Sequence, residues 1–224
     1  MNLQILTKEK IIVDMVYEAR KKQAQTIIKA IEKRNMTAYY CADKEECTQK
    51  VLSLIPDGSV ISWGGSASIK ECSLPEKLKE KGSYTVLDRS EYVTPEAQQE
   101  FALKTFQCDY FLMSSNAITL DGALVNIDGN GNRVASLIYG PKHVIVVVGM
   151  NKVVSSVEEG YKRTRDIASP PNTIRLGKNT PCSTTGKCGD CMCDDCICNQ
   201  IVITRRSREK ERIIILLVND NLGF

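Results

Sequence analysis

From Thr7 to Asn35 the apolar residues Ile12, Met15, Val16, Ala19, Ile27, Ile28 and Ile31 recur at helical spacing with Lys and Arg between them, which predicts a long helix, whole or broken in two. Thr37–Cys41 reads as a short strand. Asp43 to Leu54 reads as a second helix, with Asp43 and Glu46 in a capping pattern. Pro56-Asp57-Gly58 marks a turn, and Ser59–Trp63 is a buried strand that runs through Gly64-Gly65-Ser66-Ala67-Ser68 into a helical stretch toward Leu74. The alternation repeats with Ser83–Leu87 as strand, Thr94–Phe106 as helix with Pro95 in its first turn, and Asp109–Met113 as strand. Such βαβ order predicts a largely parallel sheet with helices on both faces.

The pattern changes after Ala117. Ala123–Ile127 and Arg133–Ile138 flank Asp128-Gly129-Asn130-Gly131-Asn132, which predicts an antiparallel hairpin inserted into the α/β order. Lys142–Gly149 is the most apolar strand and is expected at the sheet centre. Ser156–Ile167 is a helix, ended by Pro170-Pro171. A cysteine-rich loop occupies residues 180–199, and Ile201–Thr204 and Ile213–Val218 are the last strands. Between them Arg205, Arg206, Arg208, Lys210 and Arg212, interleaved with acids, read as a solvated hairpin connection. The expected architecture is one α/β domain over residues 1–224: a mostly parallel sheet flanked by helices, with an inserted hairpin and an N-terminal helical segment at about 7–35.

Composition adds little to the fold but narrows the function. A chain of 224 residues, 42% hydrophobic and 25% charged, can bury one ample core. Its net charge of +3, with Lys+Arg 30 against Asp+Glu 27 spread along the chain, gives no basis for nucleic-acid binding as the main activity. The apolar runs Val144–Met150 and Ile213–Val218 fall far short of the roughly 20 residues that cross a bilayer, so no membrane role is expected. Residues 1–10 carry no apolar signal core or small-residue cleavage site, which points to the cytoplasm.

The cysteines are unevenly placed. Six of ten crowd into the loop, a distribution unlike a secreted disulfide framework, whereas Cys41, Cys47, Cys72 and Cys108 fall in predicted helices and strands as packing residues. The loop reads Cys182-x5-Cys188-x2-Cys191-x-Cys193-x2-Cys196-x-Cys198. Its paired Cys-x-x-Cys turns can point sulfurs at one tetrahedral ion or one cluster edge. A structural zinc or iron–sulfur site, a redox dithiol pair and an unmetallated loop are the alternatives. Asp194-Asp195 weighs against the dithiol, because negative charge opposes thiolate formation.

Elsewhere, Gly64, Gly65, Ser66 and Ser68 lie between a strand and a helix, where free N–H groups and hydroxyls suit a phosphate or carboxylate; a plain capped turn is the alternative. The stretch Ser114–Gly122 gathers Asn116, Thr119, Asp121 and Gly122 just past a strand, a usual place for ligands in α/β proteins. Asn126-x-Asp128-x-Asn130-Gly131 resembles a calcium loop, but Leu137 stands where a bidentate Glu is needed. His143, the single histidine, has no hydrolase elbow or partner beside it.

Taken together, Trp63-Gly64-Gly65-Ser66, the run Ile118–Gly129, Gly140-Pro141-Lys142-His143-Val144-Ile145, and Thr180-Pro181-Cys182 through Thr185-Gly186-Lys187-Cys188 resemble the LUD, or lactate-utilisation-type, domain family over nearly the whole chain. The resemblance implies a fold similar to CoA transferases and sugar-phosphate isomerases, and a link to lactate, 2-hydroxy-acid or related carbon metabolism. By that analogy the Gly64-Gly65-Ser66 turn is the anion site, faced by the Asp121-Gly122 loop. No glutamate stands clearly as a CoA-transferase nucleophile, which argues against acyl transfer. The family-like segments contain Cys182 and Cys188, so the expected metal set is Cys182, Cys188, Cys191 and Cys198, with Cys193 and Cys196 as extras. The alternative function is a non-enzymatic assembly subunit that docks an iron–sulfur or redox protein; a homo-oligomer is also expected as a possible assembly.

Overall fold

Alternate residues of the two most apolar strands face opposite ways, and both directions are buried. The computed structural model describes residues 3–224, with side chains described from Asp14 onward. Helix α1 (Leu3–Lys33) is a single unbroken rod whose Ala24, Ile27 and Ile31 are fully buried; the predicted position of Ile12 lies outside the described side chains. Strand β1 (Thr37–Cys41) leads to α2 (Lys44–Leu54), where Asp43 accepts from the Glu46 N–H at 2.8 Å and Glu46 accepts from the Ala42 N–H at 2.6 Å. There follow β2 (Val60–Trp63), α3 (Ala67–Glu71), α4 (Leu74–Glu80), β3 (Thr85–Leu87), α5 (Pro95–Phe106) and β4 (Tyr110–Met113). Then come β5 (Ala117–Thr119), β6 (Leu124–Asp128), α6 (Asn132–Ile138), β7 (His143–Gly149), β8 (Val153–Val154), α7 (Val157–Arg163), α8 (Ser169–Arg175), α9 (Pro181–Thr185), β9 (Gln200–Thr204) and β10 (Ile213–Val218).

The main sheet has six parallel strands in the order β1-β10-β7-β4-β2-β3, with β7 inside it as expected. Val144, Val146, Val148, Ile215 and Leu217 pack toward Ile27 and Ile31 of α1, while Ile145, Val147, Leu216 and Val218 pack toward Val51, Ile69 and Leu78. This two-sided burial is what a parallel sheet covered by helices requires. Cys41, Cys47, Cys72 and Cys108 are buried in these layers and serve as small apolar residues.

A second sheet, ordered β8-β5-β6-β9, holds the antiparallel pairs. The hairpin is formed by β5 and β6, not by the segments around Asp128–Asn132. Residues 132–138 are helical because Val134 and Leu137 bury one face, while the Asp128 carboxylate accepts from the Val134 N–H at 3.1 Å at the helix start. The free edge of β6 is taken by β9, which arrives after the cysteine loop. Pro170-Pro171 does not end a helix. Residues 164–168 form a wider π turn, and the prolines fall in the first turn of α8, where a missing N–H costs nothing. Strands β9 and β10 lie in different sheets, so the basic segment between them is a crossing and not a hairpin. Within it Arg212 donates to the Leu137 and Ser136 carbonyls at 2.7 and 3.1 Å, closing the end of α6. Among the described residues no helix is long and apolar enough to cross a membrane.

Candidate functional site

Parallel strands direct their C-terminal ends to one edge, and there the segments after β2, β4 and β7 converge on a cavity of about 470 Å³. Gly149 ends β7 against the returning chain: a Cβ on it would lie 2.7 Å from the Leu222 nitrogen and 2.8 Å from the Asp220 carbonyl. The turn Met150-Asn151-Lys152 that follows is thereby held inward. Lys152 is only 4% exposed, and its Nζ donates to Ser68 Oγ at 2.9 Å and Ser114 Oγ at 3.0 Å. Among the described residues no carboxylate lies within ion-pair distance of it. Burial, reinforced by the charges of Arg163 and Arg133, lowers its pKa to about 7.

Arg133 directs every N–H inward. Nη1 donates to the Ser114 carbonyl at 2.9 Å and Asn126 Oδ1 at 2.5 Å, and Nη2 to Asn116 Oδ1 and the Ile127 carbonyl, both at 2.9 Å. Its Nε faces Asp128 Oδ2 at 3.5 Å. Arg163 donates from Nη1 to the Asn116 carbonyl at 2.7 Å and the Phe224 carbonyl at 3.2 Å, and from Nε to the Asn151 carbonyl at 3.2 Å. Of these cations Arg133 faces the Asp128 carboxylate, the Glu71 charge acts on Lys152, and Asp194 and Asp195 also line the cavity, Asp195 paired with Lys178 at 3.0 Å. Lys152, Arg133 and Arg163 together make this deep wall rich in positive charge.

The Gly64–Ser68 turn supplies neutral donors. Gly64 N–H is spent on the Leu112 carbonyl and Ser66 N–H on Gly64, while Ser66 Oγ caps α3 at 3.5 Å from the Ile69 nitrogen. Among the described residues the N–H groups of Gly65, Ala67 and Ser68 reach no protein acceptor. A Cβ on Gly65 would meet nothing within 4 Å, so that glycine faces open space.

The structure thus brings Gly64, Gly65, Ser66, Ser68 and Asn116 to one cavity and sets Thr119, Asp121 and Gly122 apart from it. Asp121 pairs with Arg34 and accepts from Thr119, with its side chain 69% exposed on the hairpin turn. Gly122, at φ +86°, presses on α1, where a Cβ would lie 3.0 Å from the Ile31 nitrogen. Asn116 acts as a brace, its Oδ1 accepting from the Ile127 N–H at 3.0 Å as well as from Arg133. Sequence placed Ser114 only at the head of the Ser114–Gly122 stretch and did not single out Lys152 or Arg133. Ser114 directly follows β4 and Lys152 ends the turn after β7, whereas Arg133 sits in the first turn of α6.

Cys182, Cys188, Cys191, Cys196 and Cys198 line a second cavity of about 110 Å³. Cys182 Sγ is 3.2 Å from Thr180 Oγ1 and 3.5 Å from Thr173 Oγ1, Cys198 Sγ is 3.3 Å from Ser169 Oγ, and the Cys198 N–H donates to Cys196 Sγ at 3.4 Å. Hydroxyl and amide donors at sulfur are the surroundings that thiolate ligands use. The Cys191 and Cys193 sulfurs stand 3.7 Å apart, and among the described residues no three donors are closed around a common point as a formed metal site would have them. Ile127, Ser169, Cys196 and Ile197 line both cavities.

The family model of the LUD domain matches residues 24–218, a span that takes in every strand of both sheets and the cysteine loop. The chain belongs to the LUD domain family. Among solved structures this LUD chain is similar to a DUF162 family protein from Deinococcus radiodurans, with a TM-score of 0.52 and 14% identity over 89% of this chain and 97% of that one. At that identity the likeness is one of fold. No protein of curated function matches the chain. The cluster of cationic side chains around Lys152 is accordingly the main guide to what this LUD domain does.

Proposed function

We propose that this LUD domain binds a small anionic metabolite, in keeping with lactate, 2-hydroxy-acid or related carbon metabolism, in the cavity at the ends of β2, β4 and β7. The observation that carries the reading is Lys152, buried beside Arg133 and Arg163 with no carboxylate within ion-pair distance among the described residues. The ligand's anionic group is placed at the free N–H groups of Gly65, Ala67 and Ser68, with Ser66 and Gly64 shaping the turn. Lys152 supplies the charge or proton at the deep end, and Arg133 and Asn116 hold the floor without spending a donor on the ligand. Calorimetric titration and thermal-shift measurements with lactate, pyruvate, sugar phosphates and acyl-CoAs test this. At least one anion is expected to bind, and Lys152→Met to weaken it at least tenfold. If none binds the wild-type protein, the reading fails.

A second reading rests on the thiols around the smaller cavity and their hydroxyl and amide neighbours. On it Cys182, Cys188, Cys191 and Cys198 would hold zinc or an iron–sulfur cluster, with Cys193 and Cys196 nearby, and the domain would serve an iron–sulfur or redox protein as an assembly subunit. A bound metal would fasten the loop, and a cluster could also carry an electron. Metal and acid-labile sulfide assayed in anaerobically purified protein test it, and metal-free protein of unchanged stability would dismiss it.

A further inference from the structure

The surroundings of Lys152 resemble those of a reacting amine more than those of a simple anion clamp. A lysine that only holds a carboxylate works best fully charged and near water, whereas this one is walled in beside two other cations. Two of the three directions around its Nζ meet hydroxyls, at 2.9 Å for Ser68 and 3.0 Å for Ser114, and among the described residues the third meets no protein partner. The hydroxyls differ: Ser114 Oγ donates to the Ser115 carbonyl at 3.3 Å, while the Ser68 proton has no acceptor among the described residues. Ser68 also contributes one of the free backbone N–H groups, so one residue adjoins both the amine and the proposed anion site. In a 2-oxo acid the carboxylate and the ketone carbon are joined by a single bond. A carboxylate on the Gly65, Ala67 and Ser68 N–H groups would leave that carbon next to the amine.

We propose that Lys152 forms an imine with the ketone carbon of a 2-oxo acid bound in this cavity, which deepens the anion-binding reading and rests on it. The unprotonated Nζ attacks the carbonyl carbon; the N–C bond forms as the carbonyl π pair moves to oxygen. Ser68 relays a proton from nitrogen to that oxygen, giving a carbinolamine. Loss of the hydroxyl with one proton releases water and leaves the C=N bond, so ketone and amine become imine and water with no oxidant or reductant. The imine then draws electrons from the neighbouring carbon, which suits proton exchange or carbon–carbon bond chemistry at that position.

Borohydride trapping tests the step. Wild-type protein incubated with pyruvate and reduced is expected to gain one adduct, mapped to Lys152 by peptide mass spectrometry; lactate, which has no ketone, should give none. Lys152→Met is expected to abolish the adduct, and Ser68→Ala to slow trapping about 100-fold through loss of the proton relay. Calorimetry with pyruvate is run alongside. Binding without an adduct, or an adduct scattered over exposed lysines, overturns the imine and leaves the anion site standing. If neither pyruvate nor any other anion binds, both fall together.

Discussion

Replacing Lys152 by methionine keeps most of the side chain's length and removes its charge and its two hydrogen bonds, so the cost of burying that charge becomes measurable. The amine titrates near 10.5 in the unfolded chain and at about 7 in the fold. Between those values the unfolded state holds more protons, so wild-type stability rises with pH relative to the variant; below pH 7 both states are protonated and the difference is constant. At about 1.4 kcal/mol per pH unit, the buried lysine costs roughly 4 kcal/mol at pH 7 and roughly 2 kcal/mol at pH 9. The variant also loses the bonds to Ser68 and Ser114, together worth about 2 kcal/mol. Lys152→Met is therefore expected to be more stable by about 2 kcal/mol at pH 7, or roughly 4–8 °C in Tm, and level with wild type near pH 9. Raised groups such as Cys108, pushed up to about 12 by burial, titrate alike in both proteins and cancel in the comparison. Urea unfolding of both proteins from pH 6 to 9 gives the result. Parallel stability curves, or a variant less stable at pH 7, would refute the reasoning.

Arg133→Met should do the opposite, losing about 3–5 kcal/mol in urea unfolding, because the buried Asn126 and the half-buried Asp128 and Asn116 are left without their donor. Gly149→Ala, whose Cβ would meet backbone at 2.7 Å, is expected to lower Tm markedly, whereas Gly65→Ala, facing open space, should shift stability by less than about 0.5 kcal/mol. If the cysteine loop holds metal, Cys182→Ser should lose it on purification, since Thr180 and Thr173 fix that sulfur, while the exposed Cys193 can change to Ser with metal content retained.

The parallel sheet was legible because Val144–Gly149 and Ile213–Val218 are apolar on both faces, a pattern few other elements carry. Arg133–Ile138 misled because a short segment with Val134, Ala135, Leu137 and Ile138 as its apolar residues fits strand or helix alike, and the Asp128 carboxylate that accepts at the helix start lies before the segment. The Gly64–Ser68 turn could be found from its place after a strand. Asp121 and Thr119 attracted notice by residue type, yet Arg34, distant in sequence, settles their partners. Lys152 carried no mark beyond its place just after β7; the closing of the chain over Gly149 turns an ordinary lysine inward.

The place of β10 in the sheet has a consequence for biosynthesis. Residues 213–218 lie between β1 and β7, which do not touch each other without them. While the chain emerges, β1 waits with an open edge through the making of some 170 further residues, so the sheet cannot nucleate progressively from its N-terminal side. A nascent chain halted before Ile213 would display the edges of β1 and β7 together, the most apolar strand among them, and would be prone to aggregate or to call on a chaperone. The arrival of β10 thus decides when the main sheet, and with it the cavity at the end of β7, comes into existence.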